Sequence, residues 1–321
     1  MANASQRQAV GYYFLYFGIA IGSGLIYLLL MLLAPTSHNV FDLDQGLLGF
    51  LRSAIALPYI ISWIFAAYGL LTLQRYVNEA KAEDVVMLEL LSSIRRGLLW
   101  VVAGSILVTI SSSAKIYLAL NTELIPFFTI VINYLYVIPS LIGFFIIYRG
   151  VRKLLLSQKL TAHGRASYLL NTLIVLGISS FYIFLIYTNP TRQFTSNPLI
   201  PATYYLPDVV TVITIIIPII ITWWLGFFAA FTISDLVPYI TRTSLLKGIS
   251  HLLYGLWFII FSSIIIQALL SLGSSRLAGI GLGTIFFVIY LFVILQGAGY
   301  FMIALSSNTL RKSLPNFKNN S

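Results

Sequence analysis

The chain is 321 residues long, 59% hydrophobic and only 9% charged, with a net charge of +10. Soluble globular domains carry about 25% charged residues, so an ordinary water-soluble protein is excluded. There is no cysteine, which excludes disulfides, thiolate metal sites and cysteine nucleophiles.

A helix needs about 20 apolar residues to cross the hydrocarbon core of a bilayer. Such stretches recur at 11–34, 50–72, 98–119, 125–148, 168–187, 209–232, 250–272 and 279–305. They are continuous rather than alternating, and too long for the strands of a membrane barrel, so eight helical spans are predicted. The first holds Gly18 and Gly22 at the spacing that lets helices approach closely in lipid. Its apolar run exceeds a signal-peptide core and lacks a small-residue cleavage site. The second starts at Arg52, behind the acidic pair Asp42 and Asp44, and contains Pro58. In the link 74–97, Val86, Leu90 and Ile94 recur at helical spacing. This predicts an early start for the third helix, with that face lying on the membrane surface.

The third span ends in Ser111, Ser112, Ser113 and Lys115. The fourth carries Pro139 and places Asn133, Tyr136, Ser140 and Gly143 within a roughly 80° arc of one face. A basic loop, 149–167, precedes the fifth span, and a loop with four prolines, 188–208, follows it. The sixth span contains Pro218 and ends at Asp235; the seventh has His251 near its start and Gln267 near its far end. The eighth repeats the polar-and-small pattern with Gln296 and Gly299, after the close-packing pair Gly279 and Gly283.

Basic residues mark the cytoplasmic side of a membrane protein. With the N-terminus inside, 15 of the 19 Lys and Arg fall on inner segments, and only Arg52, Lys115, Arg192 and Arg276 fall outside. Both termini are therefore expected in the cytoplasm, with the chain in the cell membrane. The positive charge then serves topology and contact with anionic lipid head groups. It is spread over several short segments and forms no single stripe, so no nucleic-acid partner is expected.

The two halves of the chain align with each other. An offset of 155 pairs Tyr13 with Tyr168, Gly22 with Gly177 and Tyr27 with Tyr182; an offset of 160 pairs Pro58 with Pro218 and Trp63 with Trp223. An offset of 151 pairs Gly97 with Gly248 and Gly104 with Gly255, and one of 156 pairs Tyr134 with Tyr290 and Gly143 with Gly299. The predicted fold class is an all-α polytopic membrane bundle of two tandem four-helix repeats. They comprise residues 1–150 and 164–314, with a polar tail at 315–321. Four spans per copy is an even number, so the copies enter from the same side and are parallel, related by an axis along the membrane normal.

The aromatic first span (YYFLYFGIAIGSGLIYLLL), the loop FDLDQG, LRSAIALPYIISW and IRRGLLWVVAGSIL occur in that order. In that arrangement the first half resembles the four-span bacterial membrane domain catalogued as domain of unknown function 5671. The second half resembles it more loosely, lacking a counterpart of Arg52 and of the paired acids. The resemblance implies a small bacterial integral membrane domain and carries over no catalytic or binding residue.

Ionisable and polar groups inside spans are functional candidates. Lys115 reads either as an outward-facing anion site or as a snorkelling lysine paired with Asp42, Asp44 or Glu123. Arg52 reads as a surface ion pair or a substrate clamp. Asp235 and His251 read as an interfacial charge cluster with Arg242 and Lys247, or as a proton relay. The faces holding Asn133, Ser140, Gln267 and Gln296 read as helix packing or cavity lining. Pro58, Pro139 and Pro218 each remove a backbone hydrogen bond and can kink a helix, leaving carbonyls to face a cavity.

No P-loop, HExxH or GxSxG motif occurs, and three scattered histidines build no metal site. No enzyme activity and no cofactor are expected. The expected function is a non-catalytic membrane scaffold or interaction module, with a membrane or cytoplasmic protein partner. The alternative is an uncoupled transporter or channel for a small solute, with a pathway between the repeats.

Overall fold

In a computed structural model of the chain, residues 2–33, 45–79, 85–118, 125–157, 165–187, 213, 216–240, 243–271 and 282–312 are described. Among them every regular element is helical. The α-helices are α1 (Ala2–Leu32), α2 (Gln45–Glu79), α3 (Val85–Leu118), α4 (Ile125–Ser157), α5 (Arg165–Tyr187), α6 (Ile217–Ser234), α7 (Thr243–Ser271) and α8 (Leu282–Lys312), with a 3-10 turn at Val237–Tyr239. All but α5 hold a stretch long and apolar enough to cross a membrane; in α5 the described apolar stretch is the shorter Leu169–Phe181. The molecule is an apolar helical bundle with the character of an integral membrane protein.

The consecutive pairs α1–α2, α3–α4, α6–α7 and α7–α8 run antiparallel. Gly24 of α1 meets Ile60 of α2, Gly97 and Gly104 of α3 meet Gly143 and Pro139 of α4, and Gly255 of α7 meets Gly299 of α8. Two contacts join distant parts of the chain with helices running in the same direction. On α2 and α8, Tyr59 meets Phe292, Phe65 meets Phe301 and Gly69 meets Ala304. On α4 and α6, Phe144 meets Gly226 and Tyr148 meets Phe228. The most extensive packing is α3 on α4 and α7 on α8, followed by α8 on α2.

Small residues explain why these pairs close so tightly. A Cβ placed on Gly143 would lie 2.5 Å from the carbonyl oxygen of Gly97, and one on Gly255 would lie 2.8 Å from that of Gly299. Backbone cannot retreat as a side-chain tip can, so neither position admits alanine without separating the helices. In lipid such close backbone approach is a main source of helix association.

Several expectations are corrected. Leu90 and Ile94 are fully buried, so this face of α3 packs into the bundle instead of lying on the membrane surface. The side chain of Val86 lies outside the described residues. Gly18 and Gly22 have nothing within 4 Å of where a Cβ would stand, so α1 does not use that pair for packing within the chain; Gly279 lies outside the described residues. Pro218 stands at the start of α6, directly after Ile216 and Ile217, and the backbone of Ile216 is already helical. Pro58 and Pro139 lie inside α2 and α4.

Candidate functional site: a polar layer between distant helices

Pro58 has no N–H to donate back to Ala54, so α2 has a bare carbonyl inside the bundle. The hydroxyl of Tyr290, on α8, donates to that carbonyl at 2.9 Å. The proline thus leaves no unanswered carbonyl at this point. Its loose end is tied to a helix 236 residues away in the chain.

Further along α8, Gln296 donates from Nε2 to Ser105 Oγ of α3 at 2.5 Å. Across the bundle the Tyr136 hydroxyl of α4 is hydrogen-bonded to Ser263 Oγ of α7, and Trp223 Nε1 of α6 donates to the same oxygen at 3.3 Å. Nearer the basic end, Ser307 of α8 donates to the carbonyl of Gly69 on α2 at 3.1 Å, and Asn308 Nδ2 donates to the Tyr68 hydroxyl at 3.1 Å. Each of these bonds joins a helix from the first half of the chain to one from the second, except that from Trp223, which reinforces one of them.

Four buried groups in this layer lack a partner of good hydrogen-bond geometry: Trp63 Nε1, Ser140 Oγ, Gln296 Oε1 and the Tyr300 hydroxyl. Ser140 lies against Gly104. The layer thus contains both donors and acceptors, but no Asp, Glu, Lys or Arg among the residues named. It is electrically neutral, and its chemistry is hydrogen bonding alone.

Of the residues expected to form a site, Ser140 and Gln296 meet this layer and are buried. Asn133, in α4, Lys115, near the end of α3, Gln267, in α7, and Arg52, in α2, have side chains outside the described residues. Asp235 is buried in the turn after α6, where its N–H donates to the Phe231 carbonyl at 3.0 Å. His251, in α7, is half-buried, with its Nδ1 enclosed and without a partner; Arg242 lies outside the described residues.

One group went unnoticed in the sequence. Arg95 donates to Gln74 Oε1 and, at 3.4 Å, to the Tyr16 hydroxyl, while Gln74 Nε2 donates to Asn78 Oδ1 at 2.8 Å. Arg95 had counted only as a topology charge. Its position one turn from Leu91 and Leu98, both fully buried, was the available sign that it faces inward. Together these residues bind α1, α2 and α3 at the basic end.

Among the described residues no three His, Asp or Glu converge as a metal site would need. Nothing in the layer pairs a nucleophile with a base. No protein-family model matches the chain, and neither a curated protein nor a solved structure is recognisably similar to it.

Proposed function

We propose that the chain is a non-catalytic membrane scaffold or interaction module. In this reading it has eight spans, arranged as two parallel four-helix repeats of the kind the first half resembles, with both termini in the cytoplasm of a bacterial cell. The observation that carries it is the fate of the central polar groups. Gln296, Ser105, Tyr136, Ser263 and Tyr290 are engaged in bonds between halves, as in a bundle held shut.

The packing supports the repeat. The pair α3–α4 corresponds to α7–α8, and the parallel pair α2–α8 corresponds to α6–α4. This is the pattern of a two-fold axis along the helices. Around Gly143 stand Gly97 and Val101; around Gly299 stand Gly255 and Ile259. These neighbours relate α3 to α7 by an offset of 158, in place of the 151 read from sequence. Ser105 then corresponds to Ser263, so each repeat brings one serine to the layer. The two offsets differ by seven residues, close to two helical turns, so both keep the same face forward.

The test is permeability. Protein reconstituted in vesicles should leave the efflux of entrapped glycerol and of small ions at the protein-free rate. Faster efflux would favour the alternative, an uncoupled pathway for a small neutral solute, to which Trp63, Ser140, Gln296 and Tyr300 would then belong.

A further inference from the structure

The bundle has a feature at its basic end that the two-fold pattern does not repeat. A groove of about 350 Å³ lies between the start of α3 and the end of α4, lined by Glu89, Ser93, Phe145, Ile146, Arg149, Gly150 and Lys153. Gly150 gives it depth, because a Cβ there would run into Ser93. At an offset of 156, Arg149 and Lys153 correspond to Leu305 and Thr309. The second half therefore lacks these two cations.

The cations are not equivalent. Lys153 pairs with Glu89 across the groove, and the neighbouring Arg152 donates to the Tyr148 hydroxyl at 2.7 Å while lying over its ring. The Arg149 guanidinium is exposed and has no ion pair or hydrogen bond among the described residues. Below it on α4, Ile138, Ile142 and Phe145 are exposed. With Arg149 and Lys153 they follow the spacing of one helix face, a strip about 22 Å long at 1.5 Å per residue. An apolar strip rising to paired cations at the membrane surface complements a phosphate head group with its acyl chain.

We propose that this groove is a binding site for one anionic glycerophospholipid. Arg149 and Lys153 hold the phosphate, and the strip Ile138, Ile142, Phe145 holds the chain. When phosphate arrives, Lys153 is shared between it and Glu89. This rests on the membrane reading above.

The test uses the full chain reconstituted in phosphatidylcholine bilayers containing phosphatidylglycerol, then extracted in mild detergent and weighed by native mass spectrometry. Incorporation into vesicles comes first; failure there would refute the membrane reading itself. With incorporation secured, the wild type should retain phosphatidylglycerol over phosphatidylcholine. Arg149→Gln should lower that retention about tenfold, the effect of losing one charge-assisted hydrogen bond. This variant keeps the Lys153–Glu89 pair, so it provides a reading even if Arg149→Gln/Lys153→Gln fails to fold. Arg96→Gln, an exposed cation outside the groove, should retain lipid as the wild type does. Equal retention by wild type and Arg149→Gln would overturn the proposal. Displacement of the lipid by millimolar inorganic phosphate alone would also overturn it, assigning the groove to a free anion.

Discussion

At the scale of single residues, the bond from Tyr290 to the Ala54 carbonyl has a specific energetic signature. Tyr290→Phe leaves an unpaired carbonyl in an apolar interior and should cost about 1–3 kcal/mol. Pro58→Ala restores the N–H that would satisfy this carbonyl within α2, so in that background Tyr290→Phe should cost much less. Unfolding of the four proteins in detergent, read as a double-mutant cycle, checks this; additive losses would show that the hydroxyl is not answering the proline. The sequence marked Pro58 as a helix defect and Tyr290 as a repeat position, yet not that one repairs the other. Partners more than 200 residues apart leave no local periodicity. Gln296 and Ser140 were legible for the opposite reason: a polar group in an otherwise apolar span stands out by itself, though its partner does not.

At the scale of helices, hydropathy located the bundle because lipid tolerates only long apolar segments with internally paired backbones. It placed the ends less well. Helix α2 continues to Glu79, past the expected span, since helical hydrogen bonding continues into the interface when no proline or glycine stops it, whereas the start of α3 at Val85 agrees with the early start expected from the spacing of Val86, Leu90 and Ile94. The roles of the glycines were only partly legible: spacing alone does not distinguish a glycine facing a helix from one facing lipid. Gly143→Ala should cost about 1–3 kcal/mol, because its Cβ would meet the Gly97 backbone. Gly18→Ala meets nothing within 4 Å and should be neutral or gain up to about 1 kcal/mol from helix propensity. Comparing the two melting temperatures decides this, and equal losses would refute the packing assigned to α3 and α4.

At the scale of the molecule, the parallel contacts of α2 with α8 and of α4 with α6 hold the halves together. The polar layer lies where those halves meet, and its bonds cross between them. The two-fold arrangement proposed above would account for why the layer uses serine twice, at 105 and 263, with different partners: Gln296 on one side, Tyr136 and Trp223 on the other. The proposed repeat rests on paired prolines, tryptophans and glycines in the sequence; the third-helix register it implies could not be read there, since a slip of seven residues returns nearly the same face.

Because the chain has no native cysteine, the central claim that the layer is closed can be measured one position at a time. Single cysteines at Gln296, Ser140 and Ser105, with a control cysteine in the loop 188–208, would be exposed in intact cells to a small membrane-impermeant thiol reagent. The account predicts labelling of the loop alone, with all three layer positions unreactive until the protein is unfolded. Labelling of Gln296 or Ser140 in the folded protein, at a rate near that of the loop, would mean water reaches the centre of the bundle and would contradict the scaffold reading.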